Sequence, residues 1–123
     1  MRVVGVGIDI VDLDTFRARL NKGMIEELFM PDEVKYCSGR ARPWESYAAR
    51  FAAKEATFKA LSAGLSHGLR WKHVEIVKDE SGAVAVRLSD EALKKAQEKE
   101  VKEIYLSVSH TKLNAIAVVV MEG

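Results

Sequence analysis

A single cysteine, Cys37, among 123 residues leaves nothing within the chain to form a disulfide and no second thiolate for a zinc site. That scarcity points to a reducing compartment, the cytoplasm. Charge of one sign is equally missing. Nineteen basic side chains balance eighteen acidic ones, a formal net charge of +1, so the polycationic surplus of a general nucleic-acid binder is absent. A membrane partner is not indicated either, because the N-terminal MRVVGVGIDIVDL meets Asp9 and Asp12 too soon for a secretory core or a spanning helix. No repeat, low-complexity segment or composition shift marks a boundary, so one domain over residues 1–123 is expected. A chain of this length buries only about 65% of its unfolded surface, which leaves room for assembly to add stability.

What is present reads as alternating short elements. In VVGVGIDIV the positions Val4, Val6, Ile8 and Ile10 alternate with Val3, Gly5, Gly7 and Asp9, the two-residue period of a strand. One side is continuous and apolar; the other is bare backbone ending in Asp9, and reads as open to a ligand or another chain. Asp12 or Asp14 can cap a helix, and Phe16, Leu20, Ile25, Leu28 and Phe29 give an interrupted stripe for two short helices. Pro31, with Asp32 and Glu33 behind it, starts a third. The basic loop SGRARPW, residues 38–44, then precedes a long helix over about residues 45–63. A hairpin follows, Val74 to Lys78 and Ala83 to Leu88, then a helix over residues 90–100 and two strands separated by His110, Thr111 and Lys112. The last strand is apolar on both sides, as a central strand is. The predicted class is α+β, in the order β-α3-β2-α-β2, with a mostly antiparallel sheet packed on one long helix.

On that helix Tyr47, Phe51, Phe58 and Leu61 form the stripe for the core. Ala48, Ala52, Glu55 and Lys59 form a neighbouring line, small residues followed by two charges one turn apart. Glu55 and Lys59 read either as an exposed i,i+4 pair contributing about 0.2–0.5 kcal/mol or as site residues. Asp9 reads either as a capping group or as a second site carboxylate. Asp9 and Glu55 together would make a hard, two-carboxylate site suited to Mg²⁺, which keeps waters and takes phosphate oxygens. The glycine pattern is no dinucleotide fingerprint, since Ile10 stands where a third glycine belongs. His110, Arg40, Arg42 and Arg50 are candidate phosphate contacts or plain surface groups. His67 and His73 lack metal-ligand spacing and read as structural.

The combination GVGIDIVDL, RFAAKEATFKA and SVSHTK resembles the holo-[acyl-carrier-protein] synthases, the short 4′-phosphopantetheinyl transferases. The resemblance spans the chain. It implies transfer of the 4′-phosphopantetheine arm of coenzyme A to a serine of apo acyl carrier protein, with Mg²⁺ required and adenosine 3′,5′-bisphosphate released. It implies Asp9 and Glu55 as metal ligands, Lys59 beside the diphosphate, and His110 near the nucleotide phosphates as a binding and catalytic residue. Arg42 and Arg50 become contacts for the 3′-phosphate. The base that takes the serine proton stays open among Glu55, His110 and a metal-bound water. The short members of the family are homotrimers with active sites between subunits, and Arg17, Arg19 and Lys22 offer a basic face to an acidic carrier protein. Two further readings are a non-catalytic trimer that binds coenzyme A or another nucleotide, and an Mg²⁺-dependent phosphohydrolase that uses water as nucleophile.

Overall fold

Backbone chemistry at the element ends accounts for most of the layout in the computed structural model, which describes residues 2–123. Strand β1 (Val3–Asp12) runs into helix α1 (Leu13–Arg19), whose first turn is capped by Asp12: its carboxylate accepts from the Thr15 amide at 2.8 Å. Helix α2 (Lys22–Leu28) is capped by Asn21 in the same way. Helix α3 (Pro31–Ser38) opens on Pro31, as expected. The long helix α4 (Pro43–Leu61) begins two residues earlier than the sequence reading placed it. Pro43 takes the first helical position, where its missing N–H is no loss, so it initiates the helix rather than ending the loop.

After α4, two 3₁₀ turns, Leu65–His67 and Trp71–His73, lead to the hairpin β2 (Val74–Lys78) and β3 (Val84–Leu88). Helix α5 (Asp90–Glu98), β4 (Glu103–His110) and β5 (Asn114–Glu122) complete the chain. The strands form two antiparallel sheets rather than one: β1-β5-β4, and the β2-β3 hairpin, which sits beside β4. As the two-sided apolar pattern of β5 implies, that strand is central. His110 is the last residue of β4, paired with Ala115, and not a turn residue.

Against the sequence reading, the glycine side of β1 is open neither to a ligand nor to another chain, and the apolar side faces outward. Val6, Ile8 and Ile10 are 57%, 60% and 61% exposed. The glycine side is the buried one, and helix α4 of the same chain fills it, leaving no opening for a ligand. A Cβ on Gly5 would stand 2.0 Å from the Ala60 carbonyl oxygen, and one on Gly7 1.8 Å from that of Ala56. Backbone meets backbone along this seam because Ala52, Ala53, Ala56 and Ala60 on α4 are small and buried. The predicted core stripe holds at Tyr47, Phe58 and Leu61, all buried, and burial of Phe58 or Leu61 contributes about 1.5–3 kcal/mol each. Phe51 lies at the edge, against the rings of Phe16 and Trp71.

Candidate active site

Strand alternation puts Asp9 on the same side of β1 as Gly5 and Gly7, and therefore toward α4. Because Gly7 abuts Ala56, the strand end comes down next to Glu55, and the two acids line one cavity of about 340 Å³ with Asp12, Thr15, Arg19 and Phe51. Partial burial, and after it the charge of Asp9, pushes the Glu55 carboxyl above its usual value of 4.5, while Lys59 opposes the shift.

Lys59 does not stay on its own helix as a surface pair. Its Nζ donates to Asp9 Oδ1 at 2.9 Å and to the Ile8 carbonyl at 2.9 Å, which ties α4 to β1 at the site. The side chain is 51% exposed, so the ammonium remains available to an anion. Glu55 and Lys59 also line a second cavity, about 480 Å³, with Ser62, Gly64, His67 and Trp71.

Among the described residues no three His, Cys, Asp or Glu side chains come together closely enough to hold a metal ion by themselves. Two crowded carboxylates, partly neutralised by one lysine, are the hard oxygen set that suits Mg²⁺, an ion that fills its shell with water and phosphate. A divalent cation there would relieve the repulsion that raises Glu55. The residues present fit the ion.

The remaining candidates fall elsewhere. Arg42 and His110 share a third cavity of about 430 Å³ with Tyr36, Arg40, Glu45 and Ser46, distinct from the Asp9 and Glu55 cavity in the single chain. Arg42 is 68% exposed, with Glu45 at 3.6 Å. Arg50 departs from expectation. It is 6% exposed, donates to the Ile76 carbonyl, lies 4.0 Å from Glu33 Oε2, and its guanidinium sits 4.5 Å over the Tyr36 ring. Buried, with Nη1 bonded to β2 and beside Glu33, Arg50 reads as a structural group of the fold rather than a phosphate contact. Of the basic face on α1, Arg17 stacks 3.6 Å over Trp44 and Arg19 reaches the Asp9 cavity.

Sequence reasoning missed the loop after α4. Ser62 closes the helix in the left-handed conformation at φ 55°, and His67 Nδ1 accepts from the Gly64 amide at 3.2 Å. The imidazole is thus fixed at the cavity wall beside Lys59. The signal was the pair Gly64 and Gly68 bracketing LSH just beyond the charged end of the helix.

Comparison with known proteins carries the argument from geometry to ancestry. The family model of the 4′-phosphopantetheinyl transferase superfamily matches residues 5–118. The holo-[acyl-carrier-protein] synthase of Geobacter sulfurreducens is 42% identical over 123 residues, covering 98% of each chain. The crystal structure of the Neisseria meningitidis holo-[acyl-carrier-protein] synthase superposes with a TM-score of 0.87 at 27% identity, covering 99% of this chain and 100% of that one. The Helicobacter pylori enzyme, solved in complex with coenzyme A, superposes with a TM-score of 0.82 at 30% identity over 95% of this chain and 99% of that one. Full-length similarity in both sequence and fold, with Asp9, Glu55 and Lys59 gathered at one seam, places this chain in the 4′-phosphopantetheinyl transferase superfamily, among the holo-[acyl-carrier-protein] synthases.

Proposed function

We propose that the protein transfers the 4′-phosphopantetheine group of coenzyme A to a serine of apo acyl carrier protein, releasing adenosine 3′,5′-bisphosphate. The observation that carries this is the meeting of Asp9, Glu55 and Lys59 at one seam in a chain of this family. The serine hydroxyl gives its proton to a base, its oxygen forms a bond to the β-phosphorus of coenzyme A, the bond from that phosphorus to the bridging oxygen breaks, and the bisphosphate leaves with the electron pair. When bound, Mg²⁺ supplies charge neutralisation on the diphosphate oxygens.

Asp9 and Glu55 hold the ion. Lys59 takes up charge on the departing bisphosphate, since its half-exposed side chain lines the cavity it shares with Glu55 and its ammonium lies 2.9 Å from Asp9. Within the Arg42 and His110 cavity, both side chains serve the nucleotide phosphates, with His110 also within the group of candidate bases that includes Glu55.

A homotrimer fits two features that a lone subunit leaves unexplained. Val6, Ile8 and Ile10 pair across β5 with Val120, Val118 and Ile116 to form an exposed apolar sheet face, and such a face calls for cover. The binding residues are also divided between separate depressions, so a neighbour's Arg42 and His110 could complete the Asp9 and Glu55 half. Arg19, at the mouth of that half, is positioned to meet an acidic carrier protein. No helix among the described residues is long and apolar enough to cross a membrane, and the lone buried Cys37 fits a reducing cytoplasm.

The test is mass spectrometry of apo acyl carrier protein incubated with the protein, coenzyme A and Mg²⁺. Expected is a carrier heavier by one phosphopantetheine and dependent on the metal; a carrier unchanged in mass would sink the proposal.

A further inference from the structure

Next to Glu55 on α4 stands a lysine whose charge is wholly inside the protein. Lys54 is 0% exposed, and so is its partner Glu33 on α3. An ammonium has three hydrogens to donate. All three are used: Nζ donates to Glu33 Oε1 at 2.9 Å, to the Trp71 carbonyl at 3.2 Å and to the Val74 carbonyl. Those acceptors belong to α3, to the 3₁₀ turn before the hairpin, and to the start of β2.

Glu33 is bound just as fully. Its Oε1 accepts from the Met30 amide at 3.0 Å and its Oε2 from the Ile76 amide at 3.2 Å, with Arg50 at 4.0 Å. Four elements therefore converge on one ion pair.

Successive residues on a helix point about 100° apart, so the Lys54 tripod and the Glu55 carboxylate look in different directions from one turn. Fixing the first fixes the azimuth of the second. Trp71, whose carbonyl accepts a hydrogen bond from Lys54, also lines the cavity shared by Glu55 and Lys59, and its ring packs on Phe51 and Phe58 at 5.2 and 5.1 Å. The tripod thus touches both the helix that carries the acid and the wall that faces it.

We infer that Lys54 and Glu33 are positioning residues for Glu55: their buried pair sets the rotation of α4 against α3 and β2, and so the placement of the Glu55 carboxylate opposite Asp9. This rests on the reading of Glu55 as a metal ligand. Stability alone is a poor reason for such a pair, because the desolvation of two buried ions consumes most of their attraction. Orientation is the property an apolar replacement would not reproduce.

Two variants test it, Glu33→Gln, which keeps the shape and an acceptor for the backbone amides, and Lys54→Met, which keeps the volume and removes the tripod. Melting temperature establishes folding, calorimetric titration with Mg²⁺ in the presence of coenzyme A measures ion affinity, and steady-state kinetics separate kcat from KM. The expected result is two folded proteins whose Mg²⁺ affinity is lower by about 10-fold to 100-fold, with kcat reduced and KM for the carrier protein unchanged. Folded variants with wild-type ion affinity and kcat would overturn the inference. So would failure of both to fold, since the pair would then be a condition of the fold itself. A wild-type protein that takes up no Mg²⁺ would instead overturn the ligand reading beneath it, an outcome visible before either variant is made.

Discussion

The two faces of β1 are built from opposite materials and do opposite things. On one side Gly5 and Gly7 carry no side chain and are pressed against the carbonyls of Ala60 and Ala56; on the other, Val6, Ile8 and Ile10 are large, apolar and exposed. Hydrophobicity alone would have buried the second face and opened the first. Closeness of approach, not side-chain apolarity, decides which face meets the helix, because a seam of glycine against alanine brings the two backbones nearer than any valine would permit. The exposed face is the one the proposed assembly would cover.

Filling the seam should have the largest effect. A Gly7→Ala methyl would stand 1.8 Å from a backbone oxygen that no rotamer can move, and overpacking of that kind costs about 3 kcal/mol or more. Denaturant titration should show a much less stable protein, and transfer should be lost with it, since Asp9 and Glu55 are held together by the same seam. Next come the acids at its end. Asp9→Ala and Glu55→Ala should each lower kcat by about 1,000-fold while far-ultraviolet dichroism and melting stay near wild type. Normal turnover at saturating Mg²⁺ in either would contradict their role.

The opposite face should respond differently. Ile8→Asp leaves the seam untouched, so the subunit should fold, yet light scattering should report a smaller assembly and transfer should drop by about 100-fold if the site is completed by a neighbour. An unchanged assembly would show that this face is not the interface.

The smallest effect concerns charge at the seam. Burial and Asp9 raise the folded pKa of Glu55 above 4.5, so its ionised form disfavours the metal-free fold: stability declines as pH rises from about 4.5 through the folded value and then levels off. Glu55→Gln should therefore melt slightly higher than wild type in chelator near neutral pH, with the gain vanishing below pH 4.5. For the same reason Mg²⁺ should bind the wild type more weakly as acid protonates Glu55. Melting curves in chelator across pH give the first result, and metal titrations the second.

Much of this was legible in the order of residues. The period of two in VVGVGIDIV, the proline at the start of α3, the turn residues before β3 and the two-sided apolar run of β5 each act locally, and each element formed where its pattern lay. Asp9, Glu55 and Lys59 were recognisable because small residues surround them and a known family shares their spacing. Three matters were not local and so were not readable. The face of β1 that α4 would take depends on a contact between residues 7 and 56. The fate of Arg50 depends on Glu33 and Ile76, neither adjacent in sequence. The reach of Lys59 across to Asp9, rather than along its helix to Glu55, is likewise a product of the seam.

Register along β1 has a consequence for how the chain tolerates change. Val3 pairs with Glu122 but Gly5 already pairs with Met121, so the one irregularity in the β1 and β5 ladder sits before the first glycine. Downstream of it the strand is phase-locked. A single inserted or deleted residue between Gly5 and Asp9 would turn isoleucines onto the helix and swing a carboxylate out among the apolar side chains of the sheet. Length variation near Val4 would be absorbed by the bulge, whereas the same change four residues later would displace the Asp9 carboxylate and the exposed apolar face in one stroke.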